Sequence, residues 1–454
     1  MRLDDRASVA AIDRSLDDHL LDAGLAIART SNALTFIALP VPVVSAPALV
    51  AAWRSAPIVA WTSGATSMVG VGIARELRGT GSARFADVID AARTIEVGTV
   101  VGHRDWVPRI LGGVAFAPGA ADRAPWTGFG DAWFALPRWT YTNDGWLVLA
   151  VDAREARNDA RWHDELAAFR VGPFAGAFAQ RPQPAMTRIE PGDAELWRDS
   201  VRAITSAIAR GDYAKVVAAR RALVTLAGDA RPADLLAELD ARHGECARLL
   251  VRPPNAATLV AATPERLVRV AGTHVECDAL AGSQPRSDRD DASALLASGK
   301  DRREHALVVD AIVTALTGLG ARVDAKGEPG IRTLRHVLHL HTPITATLAE
   351  KRHVLELVAA LHPTPAMGGT PTELATEWIA EHEPARGWYA SPVGWFDLDG
   401  NGEFAVAIRC GLLTGDRVNV WAGAGIVAGS DPDRELAETD VKLRAMLGAL
   451  GVPA

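Results

Sequence analysis

Arg417-Val-Asn-Val-Trp421 runs into Ala422-Gly423-Ala424-Gly425-Ile426-Val427, then Gly429-Ser430-Asp431-Pro432, then a segment carrying Glu435, Glu438 and Lys442. The first five residues read as a strand, the glycines as a tight turn or a close approach, and the last segment as a helix. At spacings of three and four, Glu435, Glu438 and Lys442 share one helix face. Glycines let backbone approach an anion, and paired carboxylates beside it suit a hard cation. An anionic substrate held through a divalent metal is one reading; a turn followed by a solvated, charged helix face is the other. A dinucleotide loop fits poorly, because the second strand and acidic residue it needs have no room before Ala454.

The chain has 454 residues, 48% hydrophobic and 23% charged, an ordinary globular balance whose length alone admits two or three domains. A net charge of -7 disfavours nucleic acid as a general partner. Met1-Arg-Leu-Asp-Asp-Arg6 leads into no long apolar run, so no secretory signal is expected. No segment offers the roughly 18 uninterrupted apolar residues of a membrane span. Cys246, Cys277 and Cys410 are far apart and odd in number, giving neither a disulfide framework nor a zinc pattern. A cytoplasmic protein is the simplest expectation.

Along the chain, residues 7–30 read as a helix and 33–41 as a strand ending near Pro40. Short strands are expected at 57–62 and 111–117, and strands with tight turns through the Gly-, Pro- and Trp-rich stretch 118–147. A helix is expected over 152–169. Residues 171–192, with Pro182, Pro184 and Pro191, read as a linker or long loop, and a helix over 193–210 opens the second half.

The second half holds the chemistry. Tyr213-Ala-Lys215-Val-Val-Ala-Ala-Arg220 reads as a strand, in which Lys215 is either a buried, paired amine or an edge lysine reaching water. Thr263-Pro264-Glu265 puts a carboxylate just past a strand end, and Gly282-Ser283 follows the strand His274–Cys277; both are turns that could also serve a substrate. Glu304 falls in or near the first turn of a helix running to Leu316. His339 and His341 share a strand face, which admits a transition-metal pair; with no third ligand at motif spacing, a single hydrogen-bonding histidine is favoured. Trp388–Gly394 and Phe404–Cys410 read as a hairpin around Asp399-Gly400-Asn401-Gly402, with Arg409 on a core strand awaiting a carboxylate partner.

Taken in order, Lys-Val-Val-x-x-Arg at 215, Thr-Pro-Glu-Arg at 263, Leu-Ala-Gly-Ser at 280, Glu304-His305, His339-Leu-x-Thr, His362-Pro-Thr-Pro-Ala366, Ala-Ile-Arg-Cys at 407, Ala-Gly-Ala-Gly-Ile-Val at 422 and Glu435-x-x-Glu438-x-x-x-Lys442 form a series that resembles the chorismate-utilising enzymes, and among them the isochorismate synthases. The likeness covers roughly 200–450. Before 190 it rests on Leu111-Gly-Gly-Val-Ala-Phe116 and Trp126-Thr-Gly-Phe-Gly130. It implies an α/β fold of α+β type: a single chorismate-binding domain of two large, packed, antiparallel-rich sheets flanked by helices. Residues 1–190 are then a divergent N-terminal part and 191–454 the catalytic core. It also implies roles. Lys215 matches the general base that activates water for attack at C2, and Glu265 the general acid that protonates the departing C4 hydroxyl. Gly282 meets that hydroxyl through backbone. Ser283 stands where many relatives have threonine. Glu304 and Glu438 match magnesium ligands, with Glu435 and Asp301 close behind. His339, Tyr389, Arg409, Gly423, Gly425 and Lys442 match positions around the two substrate carboxylates.

For that chemistry Lys215 has to be neutral near pH 7–8, a depression of roughly 3 units from about 10.4, and Glu265 has to be protonated. No redox cofactor is implied, only Mg2+. Salicylate synthases, which go on to eliminate pyruvate, share the lysine and the acid. Anthranilate and aminodeoxychorismate synthases use ammonia from a glutaminase partner. Ala281 stands where the latter's Pro-Ile-Lys-Gly motif has its lysine, which argues against that branch. A chorismate-binding protein without activity is the non-enzyme alternative. The resemblance therefore implies no glutaminase subunit and a product for menaquinone or a catechol siderophore, and net charge and patterning are compatible with a monomer.

Overall fold

The computed structural model describes residues 14–176, 178–286 and 292–452. Two large sheets, of thirteen and ten strands, carry the fold. Apart from the parallel pairing of Leu34–Pro40 with Val97–Val101, the strand pairs found among the described residues are antiparallel. The strand Leu34–Pro40 shows how the layers form: Phe36 and Ala38 enter a core shared by both sheets, while Ile37 and Leu39 enter a second core under the helices. Burial on both faces is why this strand is a continuous apolar run instead of an alternating one.

Helices close the outer face of the larger sheet. Leu21 and Leu25 of Arg14–Ala28, Trp162, Leu166 and Phe169 of Asp159–Val171, and Leu235, Leu236 and Leu239 of Pro232–Arg242 all enter that second core. Helix Ala194–Arg210 begins where the Asp193 side chain accepts from the amides of Glu195 and Leu196, and stops at Gly211 with φ 89°. Its buried Trp197, Val201 and Ile204 follow the helical period.

Each sheet draws strands from both sides of residue 190. Ile58–Ser63 pairs with Ala247–Arg252 in the larger sheet, and Arg109–Val114 with Pro392–Asp397 in the smaller. In the larger sheet Lys215–Leu226, Arg417–Ile426, Cys410–Thr414 and Thr258–Thr263 are successive neighbours. In the smaller, Val337–Leu348, His274–Pro285, Arg266–Ala271 and Gly402–Val406 follow one another. The chain steps from sheet to sheet at Pro264-Glu265 and again at Ala407–Arg409, which brings Glu265 and Arg409 to one end of the shared core.

Several expectations shift. The first helix spans Arg14–Ala28, and the part expected at 7–13 lies outside the described residues. The helix expected from 152 starts at Asp159, after the 3-10 turn Glu155–Arg157. The stretch 171–192 is not loop throughout. Met186–Glu190 adds a strand along Lys215–Leu226, and as an end strand with Thr187 and Arg188 exposed it lacks the apolar alternation that marks a buried strand. The hairpin around Gly400 is present, pairing Pro392–Asp397 with Gly402–Val406.

Candidate active site

Lys215 opens its strand and is 1% exposed, so it is no edge lysine. An unpartnered ammonium at that depth would cost several kcal/mol. Its Nζ instead donates to Glu304 Oε1 at 2.8 Å. Glu304 lies just past the first turn of helix Gly299–Gly318, whose N-cap Ser298 accepts from the Asp301 amide three residues on. Burial alone pushes the Glu304 carboxyl up, but the charge and hydrogen bond of Lys215, with Lys442 and Lys300, more than offset this and hold it low.

The glycine stretch is strand, not turn: Arg417–Ile426 runs antiparallel to the lysine strand with Val217 opposite Gly425 and Ala219 opposite Gly423. These glycines are set by space. A Cβ on Gly425 would stand 2.2 Å from Glu304 Oε1 and 2.7 Å from Lys215 Cε, so the Lys215–Glu304 pair passes directly over it. A Cβ on Gly423 would stand 3.0 Å from the Tyr389 hydroxyl.

Glu265, 3% exposed, is no solvated turn residue. Burial raises its carboxyl to about 8, against the opposing pull of Lys215, Arg409 and Lys442. It is therefore mainly the neutral acid at pH 7. Gly282 sits not at a strand end but at a register shift within His274–Pro285, with φ 76°. Past that bulge the Ser283 hydroxyl meets His339 Nδ1 at 3.0 Å, and His339 Nε2 accepts from Arg409 Nη2 at 3.3 Å. Burial, then Arg409 and Lys442, hold the imidazole well below its ordinary pKa, so it is neutral. Because Arg409 can only donate, Nδ1 carries the ring proton and Ser283 accepts it.

Arg409 is not on a core strand. It occupies the bend before Cys410–Thr414 with φ 51°, and its guanidinium meets His339 where a carboxylate was expected. Tyr389 is buried, its hydroxyl pushed up by burial, and its ring stacks on Trp421 at 5.9 Å. Lys442 donates to the Gly423 carbonyl at 2.9 Å and pairs with Glu438 at 2.6 Å. Glu435, 2% exposed, pairs with Lys300 at 2.7 Å.

A cavity between these elements is lined by Glu265, Gly282, Ser283, Glu304, His339, Tyr389, Arg409, Gly423, Gly425 and Lys442. Lys215 stands one contact behind its wall, through Glu304 and over Gly425, and Glu438 one contact behind through Lys442; Glu435, paired with Lys300, stands farther off. The space is small, about 60 Å³, room for roughly two waters. A larger cleft of about 870 Å³ opens at the other ends of the same strands, near Arg252, Thr258 and Gly415, and collects none of these groups. Ala281 and the His362–Gly369 segment, through Ala366 and Met367, supply part of the apolar wall; Val217, Leu280 and Ile408 complete it and resemble ordinary core in the sequence.

Two ligand sets can be tested against this geometry. His341 does not join His339 at a metal: its Nε2 pairs with Asp278 Oδ1 at 2.9 Å. The acidic residues suit a hard cation by chemistry. Asp301, Glu304, Glu435 and Glu438 are near enough to oppose one another's ionisation, and beyond the effect of burial Glu438 raises Glu435 while Glu304 and Glu438 raise Asp301. Among the described residues they do not converge as a group of three; each glutamate contacts a lysine.

A family model described as chorismate binding enzyme matches residues 28–451. The chain belongs to that family. It is 37% identical over 420 residues to the salicylate biosynthesis isochorismate synthase of Pseudomonas aeruginosa, covering 88% of this chain and 86% of that protein. It is 36% identical over 353 residues to isochorismate synthase MenF of Bacillus subtilis, covering 76% and 75%. Among solved structures, MenF, the menaquinone-specific isochorismate synthase from Escherichia coli, superposes with a TM-score of 0.77 at 26% identity, over 95% of this chain and 100% of that one.

Proposed function

We propose that this chain is an isochorismate synthase, converting chorismate to isochorismate by adding water at C2 and releasing the C4 hydroxyl. One observation carries the reading: Glu265 is a buried carboxylic acid kept neutral on a cavity that it shares with the cations Arg409 and Lys442 and with the Lys215-paired carboxylate Glu304. A dianionic ring that must shed a hydroxyl needs that combination. Glu265 gives its proton to the leaving C4 oxygen, and the Gly282 backbone meets the same group. Lys215 takes the proton of the incoming water. Arg409, Lys442, Tyr389, His339 and the backbone of Gly423 and Gly425 receive the two carboxylates, with Ser283 fixing the His339 ring.

Magnesium, when bound, neutralises and orients one substrate carboxylate. Glu304 and Glu438 would hold it, with Glu435 and Asp301 close by. Glu304 Oε1 accepts from Lys215, and the second oxygen of that carboxylate would be the one to face the cation. Residues 191–454 form the catalytic core in this reading, since every group named lies there, and 1–190 complete both sheets. Water as nucleophile removes the need for a glutaminase subunit. The protein acts as a cytoplasmic monomer whose product serves menaquinone or siderophore synthesis. No helix among the described residues is long and apolar enough to cross a membrane.

Incubation with chorismate and magnesium, followed by chromatography, tests this. Isochorismate alone is expected, and chelator should abolish turnover. Equimolar pyruvate and salicylate would make the chain a salicylate synthase, and tight binding without turnover a chorismate-binding protein.

A further inference from the structure

Arg386 has no part in the chemistry above and does not line the cavity, yet it is 3% exposed and almost fully partnered. Its Nε donates to Glu383 Oε2 at 2.8 Å and its Nη2 to Glu383 Oε1 at 2.9 Å. Nη2 also donates to the Val217 carbonyl at 2.7 Å, and Nη1 to the Met367 carbonyl at 2.8 Å. The guanidinium lies 4.6 Å from the Phe116 ring centroid and 6.0 Å from that of Tyr389, whose amide donates to the Arg386 carbonyl at 2.9 Å. Glu383 Oε1 accepts in turn from the Ala219 amide at 2.8 Å.

A buried ion pair is a poor device for stability alone, since desolvation offsets much of its attraction. What this pair has is a planar fork, which a lysine could not imitate. Val217, Met367 and Tyr389 all line the cavity, and they come from three separate segments. We infer that Arg386, held by Glu383, is a positioning residue that fixes the Val217, Met367 and Tyr389 walls relative to one another and so sets how a ring acid sits before Glu265. The inference rests on the proposed function for its kinetic consequence, but its geometric content stands apart from it.

The test is the double variant Glu383→Gln with Arg386→Met, which removes both charges while leaving Ala219 an acceptor, alongside Arg386→Lys. A crystal structure of the double variant should show the Met367 wall or the Tyr389 ring displaced by about 1 Å or more, a misplacement able to cost roughly 100-fold in rate. For chorismate, kcat should fall on that order while KM stays within about threefold, and Arg386→Lys should remain low in kcat because it restores the charge without the fork. Unmoved walls, or a wild-type kcat in either folded variant, would overturn the inference. If the wild-type protein makes no isochorismate, the proposed function fails by itself, and the wall positions in whichever variant folds still decide the role of Arg386.

Discussion

Replacing Glu265 by glutamine should change how stability responds to pH. In the folded chain the Glu265 carboxyl titrates at about 8, against an ordinary value of 4.5. Between those values the folded state holds a proton that the unfolded state has released, so stability falls as pH rises from about 4.5 to about 8 and levels off above. The difference, about 3.5 units, corresponds to roughly 5 kcal/mol at most, with no discount for solvent because the group is 3% exposed. Glutamine has the shape of the neutral acid and does not ionise. Thermal melts of both proteins at pH 5, 6, 7 and 8 should therefore diverge, the variant gaining on wild type by on the order of 5 °C across the range. Turnover of chorismate should fall roughly 10²–10⁴-fold in the variant, since the amide has no proton to give. Parallel Tm-against-pH curves for the two proteins would refute the burial argument, and with it the claim that Glu265 is an acid poised to protonate.

Lys215→Ala should abolish turnover and also cost about 3–5 kcal/mol of stability, because Glu304 is left as a buried charge without its partner; adding Glu304→Gln should restore the melting temperature but not activity. A lysine reaching water, as the sequence alone permits, would show no such loss. Glu438→Ala should shift the magnesium titration of activity by roughly 10–100-fold, and an unchanged titration would remove Glu438 from the ligand set. Gly425→Ala should nearly abolish activity, because its Cβ would fall 2.2 Å from Glu304 Oε1 and force apart the Lys215–Glu304 pair; normal kinetics would show that the pair is free to shift.

How much of this was legible in the chain depended on what each residue's neighbours hide. The order of motifs from Lys215 to Lys442 carried the fold and most of the cavity lining, since widely spaced polar residues in apolar runs have few other reasons to be there. Local reasoning failed where tertiary contacts decide. Gly423 and Gly425 look like a turn, but they are strand residues thinned to let side chains pass. Glu265 and Lys215 look like solvated residues until both sheets close over them. Arg409 sits in Ala-Ile-Arg-Cys, an apolar run that gives no hint of a left-handed bend. Met186–Glu190 lacks alternation because it is an end strand. Arg386 and Glu383 belong to no motif in the series, and their i, i+3 spacing just ahead of Gly387-Trp388-Tyr389 is the available signal.

Turnover of chorismate with magnesium in 18O-labelled water, with the product examined by mass spectrometry, tests the central claim most directly. If Lys215 activates water while Glu265 releases the C4 hydroxyl, isochorismate carries one labelled oxygen, at C2. An unlabelled product would mean that the hydroxyl migrates within the ring and would contradict the paired roles of base and acid.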